Sequence, residues 1–336
     1  MVTIFDIARE AKCSVASVSK VLNNYSDVSQ KTRDSVHAAM EKLNYFPNSN
    51  AVSLVTNRSY NIGILLLGSE DVNFVHGFFG EILSSFKKEM EKHGYDLTFM
   101  SEHGRGFEDS YLKHYLSRKL DGVFAVSGDL SDGKFRELFE AGVPMVCIDS
   151  GDERSTDITS DNVRSMRDAV RRVADAGYTD IAYVTGQDVS VMRRRLKGFL
   201  DGAKTAGLTI KRENIIIGNF YDMKTTFDLV SGLLRRTDRP QLIFLPDDHS
   251  ALGAYEAART LNLRIPDDVA FVGFDGSHIA PLLNPSLTII RQDVARLGAS
   301  AAQLLLQRIN GAERSSMRRI ATQFIPGGSV RWQTKK

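Results

Sequence analysis

Residues 2–48 read VTIFDIAREAKCSVASVSKVLNNYSDVSQKTRDSVHAAMEKLNYFPN, and the spacing of apolar side chains in this stretch decides how the chain begins. Ile4, Ile7, Ala8 and Ala11 fall on one helical stripe behind Thr3, with Asp6 at the position of a reciprocal capping partner. Ser14 is placed to cap a second helix whose Val15, Val18 and Leu22 repeat at helical spacing. Ser29 is placed to cap a third, with Val36, Ala39, Met40 and Leu43 inward and an end between Asn44 and Pro47. Only Lys12, Cys13 and Ser14 separate the first two helices. So short a turn forces a steep crossing and leaves one face of the second helix free of the core.

Outward from this stretch, the chain has 336 residues, 42% hydrophobic and 25% charged, which fits a globular protein of two or three domains rather than a disordered or rod-like one. No apolar run approaches the ~20 residues needed to span a bilayer, and the early Asp6, Arg9 and Glu10 leave no secretory apolar region. Cys13 and Cys147 are too few for a disulfide framework, so a reducing cytoplasm is expected. A net charge of +2 argues, taken whole, against a nucleic-acid binder. Resolved along the chain the picture changes. Residues 1–60 carry seven basic and five acidic side chains, whereas residues 61–336 balance at 36 of each.

From Asn61 the rhythm changes to short β-rich runs: 62–67, 96–100, 122–126, 144–148, 181–184, 215–217, 242–245 and 269–273. Amphipathic patterns at 78–93, 163–176, 192–206 and 252–261 lie between them. Such alternation implies parallel sheets covered on both faces, and so many strands imply two similar lobes. The chain changes lobes near residues 160–163 and again near Arg291. Ligands of such folds bind outside the carboxyl ends of the strands, here between the lobes.

The stretch Val2–Asn48 closely resembles the DNA-binding head of the lactose/galactose repressor (LacI/GalR) family. The resemblance continues through TSDN at 159–162, RLKGF at 195–199, DDHSALGA at 247–254, IPDDVAFVGFDG at 265–276 and LTIIRQDVARLGASAAQLLLQRI at 287–309. It implies a small all-α helix-turn-helix head and an α/β two-lobed, periplasmic-binding-protein-like body with parallel sheets. The expected division is a head at 1–47, a hinge helix and linker at 48–60, an N-lobe at 61–160 with 292–320, and a C-lobe at 161–291 with 321–336.

A helix-turn-helix lays its second helix in the major groove with its N-terminal residues at base edges. Here those are Val15 and Ala16, suited to apolar contact with a thymine methyl, and Lys20, able to donate to guanine O6 and N7. Thr3, Ser14, Ser17, Ser19, Asn23, Ser29, Thr32 and Asn48 match family positions that hold phosphates, and Tyr45 joins the implied DNA-contacting set. Two departures stand out. Lys12 occupies a turn position usually held by glycine, where φ is expected to be positive at a cost of ~1 kcal/mol. Lys20 replaces the commoner arginine and loses its bidentate fork. Asn48–Leu54 resembles the family hinge helix, in which paired helices enter the minor groove and a leucine wedges between base pairs. Leu54 fits the wedge and Ala51 the close approach, while Asn50 and Val52 depart from the common residue types.

In the body, the seven histidines show no metal-type spacing, and no phosphate loop, nucleophile elbow or dinucleotide fingerprint is present, so neither catalysis nor a metal or cofactor is expected. The resemblance supplies a cleft instead. Asp149, Arg195, Asp248 and Asp275 fall at strand ends or helix starts and suit bidentate bonding of vicinal hydroxyls, with Phe220 as an aromatic platform. Ser69, Asp71, His76 and Phe78 follow the first strand, in a loop that departs from the family pattern and is longer. The implied effector is a sugar or another polyol, with a nucleobase or phosphate-bearing ligand left open. Gln292–Ile309, with Leu297, Ala301, Leu304, Leu305 and Ile309, reads as core. A homodimer on a pseudo-palindromic operator is expected, without a tetramerising tail and without a membrane partner. The expected function is a ligand-responsive transcription regulator, in its commonest form a repressor. The alternatives are a sugar-binding receptor with a vestigial head and an enzyme acting on ribose-like substrates.

Overall fold

The computed structural model describes the chain apart from residues 1, 23–24, 47–57, 67–76, 102–108, 127–132, 153–154, 314–316 and 333–336. In the head, helices α1 (Ile4–Glu10), α2 (Val15–Leu22) and α3 (Gln30–Lys42) start where the capping residues stand. Asp6 Oδ2 accepts from the Thr3 amide at 3.0 Å and from its hydroxyl at 2.7 Å. Ser14 Oγ accepts from Ser17 N at 3.0 Å, and Ser29 Oγ from Thr32 N at 3.3 Å. The bonds from Thr3 N, Ser17 N and Thr32 N satisfy amides that the helix starts leave without a partner. Lys12 has φ 53°, the left-handed conformation its turn position demands. Ile7, Ala8, Val18, Val21, Val36 and Ala39 form a small buried core, with Ile4, Ala11, Met40 and Leu43 packed around it.

Among the described residues, the body is built on two six-stranded sheets. The elements of its first half are β1 (Asn61–Leu66), α4 (Gly77–Glu91), β2 (Asp96–Phe99), α5 (Tyr111–Arg118), β3 (Gly122–Val126), α6 (Gly133–Glu140), β4 (Met145–Ile148) and β5 (Asp157–Ser160). Then come α7 (Asn162–Asp175), β6 (Ile181–Thr185), α8 (Ser190–Thr205), β7 (Ile215–Ile217), α9 (Met223–Leu234), β8 (Leu242–Phe244), α10 (Ser250–Thr260), β9 (Ala270–Asp275) and β10 (Thr288–Arg291). Last are α11 (Val294–Ile309), β11 (Arg318–Ile320) and β12 (Gln323–Ile325). The first sheet has the order β11-β5-β4-β3-β1-β2 and the second β12-β10-β9-β8-β6-β7. Neighbours β11, β5, β4, β3 and β1 run parallel, as do β10, β9, β8, β6 and β7. β12 is antiparallel to β10. The central strands β3, β4, β6 and β9 are buried along their whole length, as expected of strands covered on both faces.

The chain passes between the sheets at three places: after β5, after β10 and between β11 and β12. α11 follows β10 yet packs on α4, in the core that holds Ile82, Phe86, Phe124, Leu297 and Leu305. The helices approach closely because Gly298 lies against α4, where an added β-carbon would stand 2.3 Å from Ile82 O. The expected strands and helices recur within a few residues. Seven further elements were not foreseen: strands β5, β10, β11 and β12 and helices α5, α6 and α9. The unforeseen strands are three or four residues long, and β5 (DITS) and β11 (RRI) carry polar side chains that break an apolar run.

Candidate functional site

The head presents the exposed side of α2. Val18 and Val21 face the core, which turns Ala16, Ser17, Ser19 and Lys20 outward. Val15 is half-buried against the core, so Ala16 is the more exposed of the two apolar side chains at the helix start. Lys20 Nζ lies 2.5 Å from Asp27 Oδ2, with both side chains about half exposed (49% and 57%). The amine expected to read bases therefore sits on a carboxylate of the head itself. The Ser14 and Ser17 hydroxyls are 2.9 Å apart, as are those of Ser29 and Thr32. Thr3 and Ser29 are exposed at helix starts, and Tyr45 packs beside the head core. Asn23, Asn48, Ala51 and Leu54 lie outside the described residues.

In the body the candidate residues gather around Arg195, which α8 carries into the interior. Arg195 and Asp275 are each 4% exposed, and their nearest charged atoms are 3.6 Å apart. Arg195 Nε donates to Asn162 Oδ1 at 2.9 Å and Nη1 to Pro246 O at 2.9 Å. Its guanidinium lies 3.5 Å from the centre of the Phe274 ring and 5.5 Å from that of Phe220. Expected to bond vicinal hydroxyls, Arg195 has its Nε and Nη1 bonded within the protein, as a buried charge must be paired and hydrogen-bonded. Asp275 ends β9 with φ 84° and accepts from Tyr221 Oη at 2.9 Å and Gln292 Nε2 at 2.7 Å. Gln292 Oε1 in turn accepts from Ser160 Oγ at 2.5 Å. Asn162 Nδ2 donates to Thr159 Oγ1 at 3.1 Å, and that hydroxyl donates to Asp149, which follows β4 with φ 58°.

These bonds form a continuous polar chain from Asp149 through Thr159, Asn162, Arg195, Asp275 and Gln292 to Ser160. It starts and ends on the first sheet and crosses the second. Its crossing points are two of the segments that link the sheets, so relative movement of the lobes must strain or exchange these bonds. Phe79 on α4 meets Tyr221 edge to face, with centroids 6.2 Å apart, and Phe78 beside it is buried. A cavity of about 540 Å³ opens beside this chain, lined by Phe78, Glu81, Asp275, Ser277, Arg291 and Gln292 among others.

Burial makes several carboxyls of this region hold their protons more readily than exposed ones. Burial, followed by the charge of Asp275, pushes Asp247 up to about 7 and Asp248 up to about 6. Asp247 accepts from the Tyr221 amide at 2.8 Å and from the Ser250 amide at 2.6 Å, and Asp248 from the Ser277 amide at 2.5 Å. Burial also raises Asp149, against the lowering effect of the Thr159 bond and of Arg195. The structure thus brings together Asp149, Arg195, Phe220, Asp248 and Asp275, and sets Phe78 on the cavity wall. Ser69, Asp71 and His76 lie outside the described residues. Tyr221, Gln292, Asn162 and Thr159 were not singled out as site residues. Two of these, Thr159 and Asn162, belong to the quoted TSDN motif, whereas a tyrosine next to Phe220 carries no sequence signal. Among the described residues no group of three or more His, Cys, Asp or Glu side chains is placed to hold a metal. No described helix is long and apolar enough to cross a membrane.

Comparison with known proteins finds two family matches. Residues 3–48 match the bacterial regulatory proteins of the lacI family, and residues 170–330 a periplasmic binding protein-like domain. The chain is 32% identical to the HTH-type transcriptional repressor PurR of Proteus mirabilis, over 92% of this chain and 91% of that protein. It is 28% identical to catabolite control protein A of Priestia megaterium, over 92% and 93%. Among solved structures, the lac repressor dimer bound to operator and the anti-inducer ONPF aligns with a TM-score of 0.84 at 25% identity, covering 98% of each chain. The transcriptional regulator CelR in complex with cellobiose aligns with a TM-score of 0.72 at 26% identity, over 98% of this chain and 100% of that one.

Proposed function

The chain belongs to the lacI family of bacterial regulatory proteins, and from that premise we propose how its parts act together. It is a DNA-binding transcriptional repressor and not an enzyme, and it works as a dimer on operator DNA under the control of a small molecule. Its place of work is the bacterial cytoplasm, where the DNA is. α2 enters the major groove, with Ala16 and Val15 against thymine methyls and Lys20 exchanging Asp27 for a guanine edge. Thr3, Ser14, Ser17, Ser19, Asn23, Ser29, Thr32, Tyr45 and Asn48 hold the backbone. Residues 48–60 form the hinge, with Leu54 as its minor-groove wedge and Ala51 at the helix–helix contact.

The effector is a sugar or related polyol bound between a lobe of residues 61–160 with 292–320 and a lobe of residues 161–291 with 321–336. Ser69, Asp71, Phe78, Asp149 and Asp248 supply its contacts, with Phe220 as platform and Arg195 and Asp275 as the charged floor. The observation that carries this reading is the polar chain from Asp149 to Ser160, which ties the candidate contacts to the segments linking the lobes. A sugar that displaces part of it changes the lobe geometry and thereby the spacing of the two heads.

Fluorescence anisotropy with promoter DNA, the protein's own included, tests the DNA half. We expect salt-dependent binding that prefers one pseudo-palindromic segment over scrambled DNA. Leu54→Ala should weaken specific binding far more than nonspecific binding. Equal loss on both sequences, or no preference for any promoter segment, would contradict the reading.

A further inference from the structure

The loop Asp149–Gly151 is held from one side and pressed against the opposite lobe on the other. Beneath it, Asp157 of β5 is fully buried and accepts the Ser150 amide at 3.2 Å and the Gly151 amide at 3.1 Å. Asp149 (φ 58°) and Gly151 (φ 73°) both adopt the left-handed conformation. That conformation is costly for Asp149, and the two amide bonds to Asp157 fix it. On its other side the loop meets Ser190, the first residue of α8. A β-carbon added to Gly151 would fall 2.0 Å from Ser190 Oγ and 2.3 Å from Ser190 Cβ. No side chain other than hydrogen fits between the lobes at that point. The helix on which Gly151 rests is the one that carries Arg195 into the polar chain.

We propose that Asp157 is a positioning residue for the effector response: by holding the loop 149–151 it presents the Asp149 carboxylate to the cleft and lets Gly151 seat on α8, and so sets how readily the lobes close. This rests on the reading of the cleft as the effector site. Asp157 touches no effector itself. An ionised Asp157 accepts both amides, whereas a protonated one offers a hydroxyl where an acceptor is needed, and the loop loosens. Burial, followed by the charge of Asp149, raises Asp157 to about 7, and Arg194 of α8 acts in the lowering direction. Among the described residues, Cys147 of β4, itself pushed well up by burial, and Asp152 next to the loop are further titratable neighbours. Closure is therefore tuned across neutral pH.

The test uses the full chain. A thermal-shift screen of neutral mono- and disaccharides, sugar phosphates and nucleobases selects a ligand. Calorimetry then gives its affinity at pH 8 and pH 6 for the wild type, Asp157→Asn, Gly151→Val and Ser190→Leu. Asp157→Asn should weaken binding about 10-fold at pH 8 and much less at pH 6, where the wild-type carboxyl is already protonated. Gly151→Val and Ser190→Leu should each weaken binding at both pH values. Ser190→Leu leaves the left-handed loop unaltered, so it covers the case in which Gly151→Val fails to fold. A ratio of wild type to Asp157→Asn that is the same at both pH values, or full affinity in Ser190→Leu, would overturn the proposal while leaving the effector site standing. A wild type that binds nothing in the panel would overturn the effector reading and this proposal with it.

Discussion

Lys20 and Asp27 hold each other on the exposed side of the head, and in the proposed mode of DNA recognition that pair must part. An exposed ion pair is worth little in water, so exchange for a guanine edge is inexpensive. The Asp27 carboxylate nevertheless stays close to the phosphates and repels them. Asp27→Ala should tighten DNA binding several-fold and steepen its salt dependence by about one charge, read as the slope of log affinity against log salt. An unchanged slope would mean that Lys20 does not reach the DNA. In the body, Asp247 and Asp157 are raised to about 7 and Asp248 to about 6 from an ordinary 3.8. The folded chain thus holds protons that the unfolded chain releases near pH 4. Their stabilisation is full below that pH and is lost as pH rises through 6 to 7. The melting temperature should therefore fall between pH 6 and pH 8, and Asp247→Asn should remove about 1 kcal/mol of that slope. A higher melting temperature at pH 8 than at pH 6 would contradict the raised values.

Among the elements, α11 shows how one glycine fixes a helix pair. With Ile82 O 2.3 Å from where a β-carbon would stand, Gly298→Ala must push α11 off α4. We expect a loss of about 1–3 kcal/mol in chemical denaturation, and an unchanged midpoint would show that the helices yield freely. The same helix marks the reach of sequence reading. Leu297, Ala301, Leu304 and Leu305 repeat at helical spacing, and all four are buried as that pattern implies. Long strands and strongly periodic helices were legible because burial on one or both faces imposes a period. β5, β11 and β12 were not, since pairing with a neighbour, rather than apolar content, holds these three- and four-residue segments in place. That Asp149, Arg195, Phe220, Asp248 and Asp275 meet in space was legible. The inner wiring of the site was not legible. Tyr221 and Gln292 reach Asp275 from elements far apart in the chain, and only the fold brings them there.

At the scale of the whole molecule, the net charge of +2 resolves into a mildly basic head and a neutral body. A dimer doubles the head, and the proposed hydroxyl contacts to phosphates carry no charge. Nonspecific affinity should accordingly be modest, which leaves specificity to the geometry with which two heads meet the operator. Operator and effector then act through one equilibrium, and each must change the affinity of the other by the same factor. The most direct test measures the dissociation constant of the effector selected by thermal shift, with and without saturating operator DNA. The repressor account predicts a constant that differs by about 5- to 150-fold between the two conditions, matched by an equal change in operator affinity when effector is added. An effector constant that stays the same whether or not operator is bound would contradict it.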